Sequence, residues 1–216
     1  MGIQDAAIFE GLSQEDLELV VSRASLRTAA KGAFLFRQGE PATEMFLLQS
    51  GCVRLSEITA EGREFLVRFV RPGEVCGDRA AFAGAEYGAS AVSNTPVRVY
   101  AWTTGTIVAL LKEVPRLATN LFAITTRYLH YSRERYHLLA TASAERRIRW
   151  AVADLARSIG SSEGNATAVT GRSVQADIAD LAATTIYTVN RVLSAYERRG
   201  ILTKKRGRIV LFRKFH

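Results

Sequence analysis

Histidine, cysteine and proline are scarce in this chain, at three, two and four of 216 residues. Cys52 and Cys76 are too few for a disulfide framework or a four-thiolate metal site, and reduced thiols in a cytoplasmic protein are the simplest account. Apolar runs are short, as at Val108–Leu111, so no membrane span is expected. The first residues lack the charged and apolar regions of a secretory leader, which agrees with a cytoplasmic location. Catalytic signatures are missing too. There is no Gly-rich phosphate loop, no His-Glu-x-x-His and no Gly-x-Ser-x-Gly. His130, His137 and His216 lie on one helical stretch or at the C-terminus, so no positioned base is evident and an enzyme is not expected.

What is present is a lopsided charge. The net charge is +8, from 29 Lys and Arg against 21 Asp and Glu. Residues 1–140 hold 15 charges of each sign, so the surplus falls entirely in residues 141–216, with 14 basic and 6 acidic side chains. A neutral body joined to a basic C-terminal domain points to a polyanion partner for that domain alone. Solubility is the blander alternative.

The apolar pattern changes twice. Residues 1–30 read as a helical lead-in with Ser13 as an N-cap. From Lys31 to Trp102 the pattern is one of short strands: Phe34–Arg37, Glu44–Gln49, Cys52–Ile58, Glu64–Val70, Ala89–Val92 and Val97–Trp102. Gly- and Pro-rich turns separate them, which predicts a β sandwich or barrel. Gly77–Gly88 reads as a short helix and loop inserted between strands. One long helix is expected over residues 112–140, with Pro115 in its first turn. Leu117, Leu121, Ile124, Tyr128, Tyr131, Arg135 and Leu138 recur along it as a heptad seam. Such a seam pairs with a second copy or packs on the chain's own β-domain.

Residues 144–216 carry the basic surplus. Ser143 caps a helix whose apolar face is Ile148, Ala151, Val152, Leu155 and Ile159. A polar loop, Gly160–Asn165, and a strand at Ala168–Thr170 come next. Helices Val174–Leu181 and Thr185–Arg199 are joined by Ala182-Ala183-Thr184, with Gly200 as a stop. A hairpin, Ile201–Lys205 and Arg208–Phe212, turns at Arg206-Gly207. Two helices joined by a three-residue turn and followed by a basic hairpin predict a winged helix-turn-helix. Val189, Val192, Leu193 and Tyr196 should pack inward. Ile186, Tyr187, Asn190, Arg191 and Ser194 are left to meet base edges, Arg191 by pairing with guanine and Ile186 or Tyr187 by touching a thymine methyl or a phosphate. Thr185 and Thr188 suit phosphate oxygens, and Lys204, Lys205, Arg206 and Arg208 suit the backbone beneath a wing. Taken alone, Arg191 would read as a solvated charge.

Four stretches carry a family resemblance: Phe36–Ala42, Leu48–Leu55, Arg71-Pro72-Gly73-Glu74 with Gly77-Asp78, and Ile178-Ala179 with Thr188–Leu193. From about Ile8 to Phe212 the chain resembles the cyclic-AMP receptor / fumarate-nitrate regulator (CRP/FNR) family of bacterial transcription factors. The resemblance implies an α+β architecture: an N-terminal β jelly-roll, a long dimerisation helix and a C-terminal winged helix-turn-helix. It divides the chain into a sensing domain (1–111), a dimerisation helix (112–140) and a DNA-binding domain (141–216). It also implies a homodimer seamed by Leu117, Leu121, Ile124, Tyr128, Tyr131 and Leu138, a near-palindromic double-stranded DNA site, and RNA polymerase as a partner through Ser158–Asn165. The effector-pocket candidates are Gly77, Asp78, Arg79, Ala89 and Tyr131.

Departures from the family narrow the effector. Cyclic-nucleotide binders grip the phosphate with Arg-Ser or Arg-Thr, and the matching positions here are Gly88 and Ala89. Asp78 stands where Glu binds ribose. Cyclic AMP is therefore not the expected effector. Arg79 could serve another anion, or be a surface or ion-paired residue. Residues 1–30 hold no cysteine, so no iron–sulfur cluster is expected. Cys76 sits where a haem-binding relative places a thiolate. Haem or metal ligation by Cys76 with His130 or His137 is open, beside a purely structural role. An alternative to the DNA-binding regulator is a small-molecule or redox module whose basic domain engages another partner.

Overall fold

The computed structural model describes residues 3–81, 85–171, 173–205 and 207–212. It divides into two compact units, Met1–Tyr131 and Ser132–His216, with the division inside a single helix.

The first unit is built on eight strands: β1 (Ser25–Ala29), β2 (Phe34–Phe36), β3 (Glu44–Ser50), β4 (Val53–Ile58), β5 (Glu64–Val70), β6 (Val75–Cys76), β7 (Ser90–Ser93) and β8 (Val97–Thr103). They form two four-stranded antiparallel sheets in the orders β1-β8-β3-β6 and β2-β7-β4-β5. This is the expected jelly-roll. β3 lies between β8 and β6, so Met45, Phe46, Leu47 and Leu48 are all buried and the strand reads as a continuous apolar run. Gly51 turns β3 into β4 at φ +88°. A Cβ there would lie 2.3 Å from the Pro96 carbonyl oxygen, so any side chain would collide with backbone.

The lead-in is not uniformly helical. Two 3₁₀ turns, Ile3–Asp5 and Ala7–Phe9, precede α1 (Gln14–Ser22), and the chain then enters β1. Ser13 does cap α1, its Oγ accepting from the Asp16 amide at 3.1 Å. β1 is an exposed edge strand whose pairing with β8, rather than its own pattern, makes it a strand. A helix absent from the sequence reading, α2 (Thr104–Glu113), follows β8 and ends at buried Val114. α3 then runs from Pro115 to Thr141. Two polar side chains fasten helices to this core. Trp102 Nε1 donates to Val20 O at 2.8 Å, and buried Asn120 Nδ2 donates to Ile8 O and Glu10 O, both at 2.9 Å. Among the described residues no helix is long and apolar enough to cross a membrane.

The second unit contains α4 (Ala144–Ile159), β9 (Gly160–Glu163), β10 (Ala166–Thr170), α5 (Val174–Leu181), α6 (Ile186–Arg198), β11 (Leu202–Lys205) and β12 (Arg208–Phe212). The strands form one antiparallel sheet, β11-β12-β10-β9. Most of the expected polar loop Gly160–Asn165 is therefore the edge strand β9, leaving a short turn at Gly164-Asn165. All four β9 residues are exposed, so no apolar alternation marks the strand.

Candidate functional site

α5 and α6 form the helix-turn-helix. Val174, Ile178, Ala179 and Leu181 of α5 and Val189, Leu193 and Tyr196 of α6 are buried, so the inward face of α6 is the expected one. Thr185 caps α6, its Oγ1 accepting from the Thr188 amide at 3.2 Å while the two hydroxyls lie 3.0 Å apart. Outward, Ile186 is 49% and Tyr187 78% exposed, and Asn190 and Arg191 are exposed beside them. Among the described residues no ion pair or side-chain hydrogen bond holds the Arg191 guanidinium, which leaves its planar fork free for a ligand.

The wing departs from expectation at Arg208, whose guanidinium pairs with Glu163, and at Lys204. Lys204 is half-buried: its amide donates to Glu197 Oε1 at 2.9 Å and its Nζ to Ser194 Oγ at 2.5 Å. It braces the wing against α6 instead of standing free for phosphate. Lys205 is exposed, and Arg206 lies outside the described residues. Several acidic side chains of this unit are buried or engaged, while Glu145 is exposed. Asp154 and Asp177 are buried, Glu163 pairs with Arg208, and Glu197 is held by Lys204. Arg146, Arg149, Arg198 and Arg199 remain exposed, so the surplus of positive charge is carried at the surface of this unit.

In the first unit, Gly77 is buried, Asp78 and Ala89 are half-buried, and Arg79 is exposed. A Cβ on Gly88 would lie 2.9 Å from Arg79 Nη1, so the glycine leaves room for that guanidinium to lie against the backbone. Tyr131 is half-buried on α3.

A half-buried cationic cluster lies in the same unit. Arg68 Nη1 donates to Glu74 Oε2 at 3.1 Å and Nη2 to Val75 O at 3.1 Å, and its Cζ stands 4.1 Å from the centre of the Tyr128 ring. Tyr128 Oη donates to the same Val75 carbonyl at 3.2 Å. The cluster thus ties the β5–β6 turn to α3. Burial pushes the Tyr128 hydroxyl up to about 12, the Arg68 charge only partly opposing this. The available signal was one arginine inside the apolar run Phe65–Val70.

Cys76 is 2% exposed, and burial pushes its thiol up to about 12 against the opposing pull of Arg68. Cys52 is also buried. His130 and His137 are exposed on α3, and among the described residues no cluster of three or more His, Cys, Asp or Glu could hold a metal. Iodoacetamide at pH 8 is therefore expected to leave both cysteines unmodified in the native protein and to alkylate both in denaturant. Mass spectrometry decides, and rapid native modification of Cys76 would contradict its burial.

The helix seam needs correction. Leu117 and Ile124 are buried in the first unit's own core, Leu121 and Tyr128 pack against it, and Arg135 is engaged within the second unit. Tyr131 and Leu138 are half-buried. The part of the heptad from Leu117 to Tyr128 therefore lies on a face of α3 turned into the first unit. A second row on α3 is exposed: Phe122 at 75%, Leu129 at 70% and Tyr136 at 73%, seven residues apart.

Residues 26–114 match the cyclic nucleotide-binding domain profile, and residues 127–214 match the Crp-like helix-turn-helix domain profile. The chain belongs to the CRP/FNR family. It is 29% identical to the cyclic AMP receptor protein of Thermus thermophilus, over 93% of this chain and 89% of that one. It is 28% identical to the nitrogen fixation regulation protein FixK of Azorhizobium caulinodans, over 93% and 80%. The solved structure of CLP, the c-di-GMP responsive global regulator of Xanthomonas campestris, superposes with a TM-score of 0.78 at 19% identity, over 93% of this chain and 99% of that one. The last likeness shows the fold alone. As a CRP/FNR protein, the chain is a DNA-binding transcription regulator with a cyclic-nucleotide-binding-like domain.

Proposed function

We propose that this CRP/FNR regulator is a cytoplasmic homodimer that reads a near-palindromic duplex and answers to an effector other than cyclic AMP. In this reading residues 1–111 sense, residues 112–140 dimerise and residues 141–216 bind DNA. The observation that carries it is the outer face of α6, where Tyr187, Asn190 and Arg191 stand exposed above a buried apolar face. Arg191 pairs with guanine, Ile186 and Tyr187 meet thymine methyls or phosphate, and Thr185, Thr188 and Lys205 hold phosphates. The exposed Phe122, Leu129 and Tyr136 row supports pairing of two α3 helices. RNA polymerase is the further partner, in keeping with the regulator family.

The effector reading rests on the first unit. Gly88 and Ala89 supply no guanidinium or hydroxyl at the matched phosphate-gripping positions, and Arg79 lies against Gly88 instead. The kinship with a cyclic AMP receptor protein therefore does not carry its ligand to this chain. Candidate lining residues remain Gly77, Asp78, Arg79, Ala89 and Tyr131. An effector acts here only by binding one arrangement of the dimer better than the other.

The test is selection of duplexes from a randomised pool by the purified full-length protein at low salt. Two inverted half-sites, each with a fixed guanine, are the expected product, and binding should weaken steeply as salt rises. Lys205→Ala should weaken binding to every duplex alike and leave the selected sequence unchanged. Enrichment of no duplex would overturn the reading.

A further inference from the structure

The turn between α5 and α6 is gripped by two arginines from outside the motif. Arg135 of α3 donates through Nη2 to Asp180 O at 3.1 Å and through Nε to Leu181 O at 3.3 Å. Arg147 of α4 donates through Nη1 to Leu139 O and through Nη2 to Ala183 O, both at 3.4 Å. These carbonyls lie near the C-terminal ends of α3 and α5 and in the turn itself, where helix geometry leaves oxygens without intrahelical donors and a cation is favoured. Two guanidinium groups therefore bond oxygens on three pieces of the domain: the end of α3, the end of α5 and the turn.

The gripped turn is a constrained one. Ala183 has φ +45°, and among the described residues no other non-glycine residue has positive φ. Flanking Leu181 and Ala182 are fully buried. The Thr184 amide donates to Ala179 O at 2.9 Å, and Thr185 then caps α6. The direction in which α6 leaves the turn is thus set by what holds Ala183 and Leu181. Arg135 is also the immediate neighbour of Tyr136, which points outward with 73% exposure. One turn of α3 presents an aromatic side chain to solvent and a guanidinium to the helix-turn-helix.

We infer that Arg135 and Arg147 form a latch that fixes the azimuth of the recognition helix α6 against the last turns of α3, and so sets the half-site spacing that the dimer accepts. They are positioning residues and touch no base. The inference rests on the dimeric reading above. A dimer measures spacing only if each recognition helix is rigidly referred to the shared seam. The latch supplies that reference through four guanidinium–carbonyl hydrogen bonds, and the boundary between the compact units at Tyr131/Ser132 leaves Arg135 on the DNA-binding side.

The experiment uses full-length protein and a pool of duplexes carrying two inverted copies of the selected half-site, with the spacer varied one base pair at a time. Wild type should enrich one spacer strongly. In Arg135→Gln/Arg147→Gln the advantage of that spacer over its neighbours should fall about tenfold, on the scale of a lost hydrogen-bond pair, with the guanine preference and the salt slope unchanged. Arg135→Lys, which keeps the charge but not the fork, should fall between and serves if the double variant fails to fold. A folded variant with undiminished spacer preference overturns the latch. A wild type that binds single half-sites with no spacer preference overturns the dimeric reading, and the latch with it.

Discussion

Leu129→Glu should convert the protein to a folded monomer and lower its affinity for a two-half-site duplex roughly 10²–10⁴-fold, the scale on which a linked second site contributes. Leu129 is the centre of the exposed row formed with Phe122 and Tyr136. Large apolar side chains seven residues apart on one helix face recur on a line, which is the pattern two parallel helices bury between them. About a two-fold axis each residue near the axis meets its own copy. A glutamate at this position would bring two carboxylates together in a desolvated seam, and each buried charge costs several kcal/mol. Dissociation should therefore strengthen by about a hundredfold or more. Light scattering after size exclusion reads the mass directly. Leu117→Glu is the contrast: Leu117 is fully buried in the first unit's core, so its replacement should unfold that unit instead of releasing a folded monomer. A Leu129→Glu protein that stays dimeric would remove the row from the interface.

Arg191→Ala should weaken site-specific binding by about 1–3 kcal/mol and abolish selection for one guanine in each half-site. The guanidinium is exposed near the N-terminal end of α6 and is held by no ion pair among the described residues, so its removal leaves no buried group unsatisfied. Thermal stability should change by no more than about 0.5 kcal/mol, as for other surface replacements. Arg191→Lys separates charge from geometry. It keeps the phosphate attraction but cannot span guanine O6 and N7 in the same planar way, so guanine selection should still fall. Val189→Ala, beneath the same helix face, should instead lower stability and leave the selected sequence intact, because Val189 is fully buried. If every position of the selected site is unchanged in Arg191→Ala, this residue is not the reader.

The two predictions differ in how readable their sites were. Arg191 was legible because helix periodicity alone separates Val189, Leu193 and Tyr196 from it, and because the following glycine and basic hairpin mark the motif. Leu129 was not. Both rows on α3 obey a seven-residue period, and periodicity says that a face is apolar without saying what covers it. Leu117 and Ile124 are covered by the chain's own strands and lead-in, which come from distant sequence. Lys204 shows the same limit at one residue. Its neighbours made it look like a phosphate contact, while Ser194 and Glu197, brought close by the fold, claim it as a brace.

The sequence by itself determined the segregation of charge, the jelly-roll's central strands, the helix-turn-helix and its wing. Each of these depends on local periodicity, turn residues and composition, which neighbours along the chain specify. Only the tertiary structure decided which face of α3 is free, that Arg68 stands half-buried over Tyr128, and that Arg135 and Arg147 hold the turn before α6. It also made strands of Ser25–Ala29 and Gly160–Glu163. These features depend on partners supplied by other segments: a strand edge that offers hydrogen bonds, a carbonyl left open at a helix end, an aromatic face beside a buried charge. No spacing within one segment encodes them.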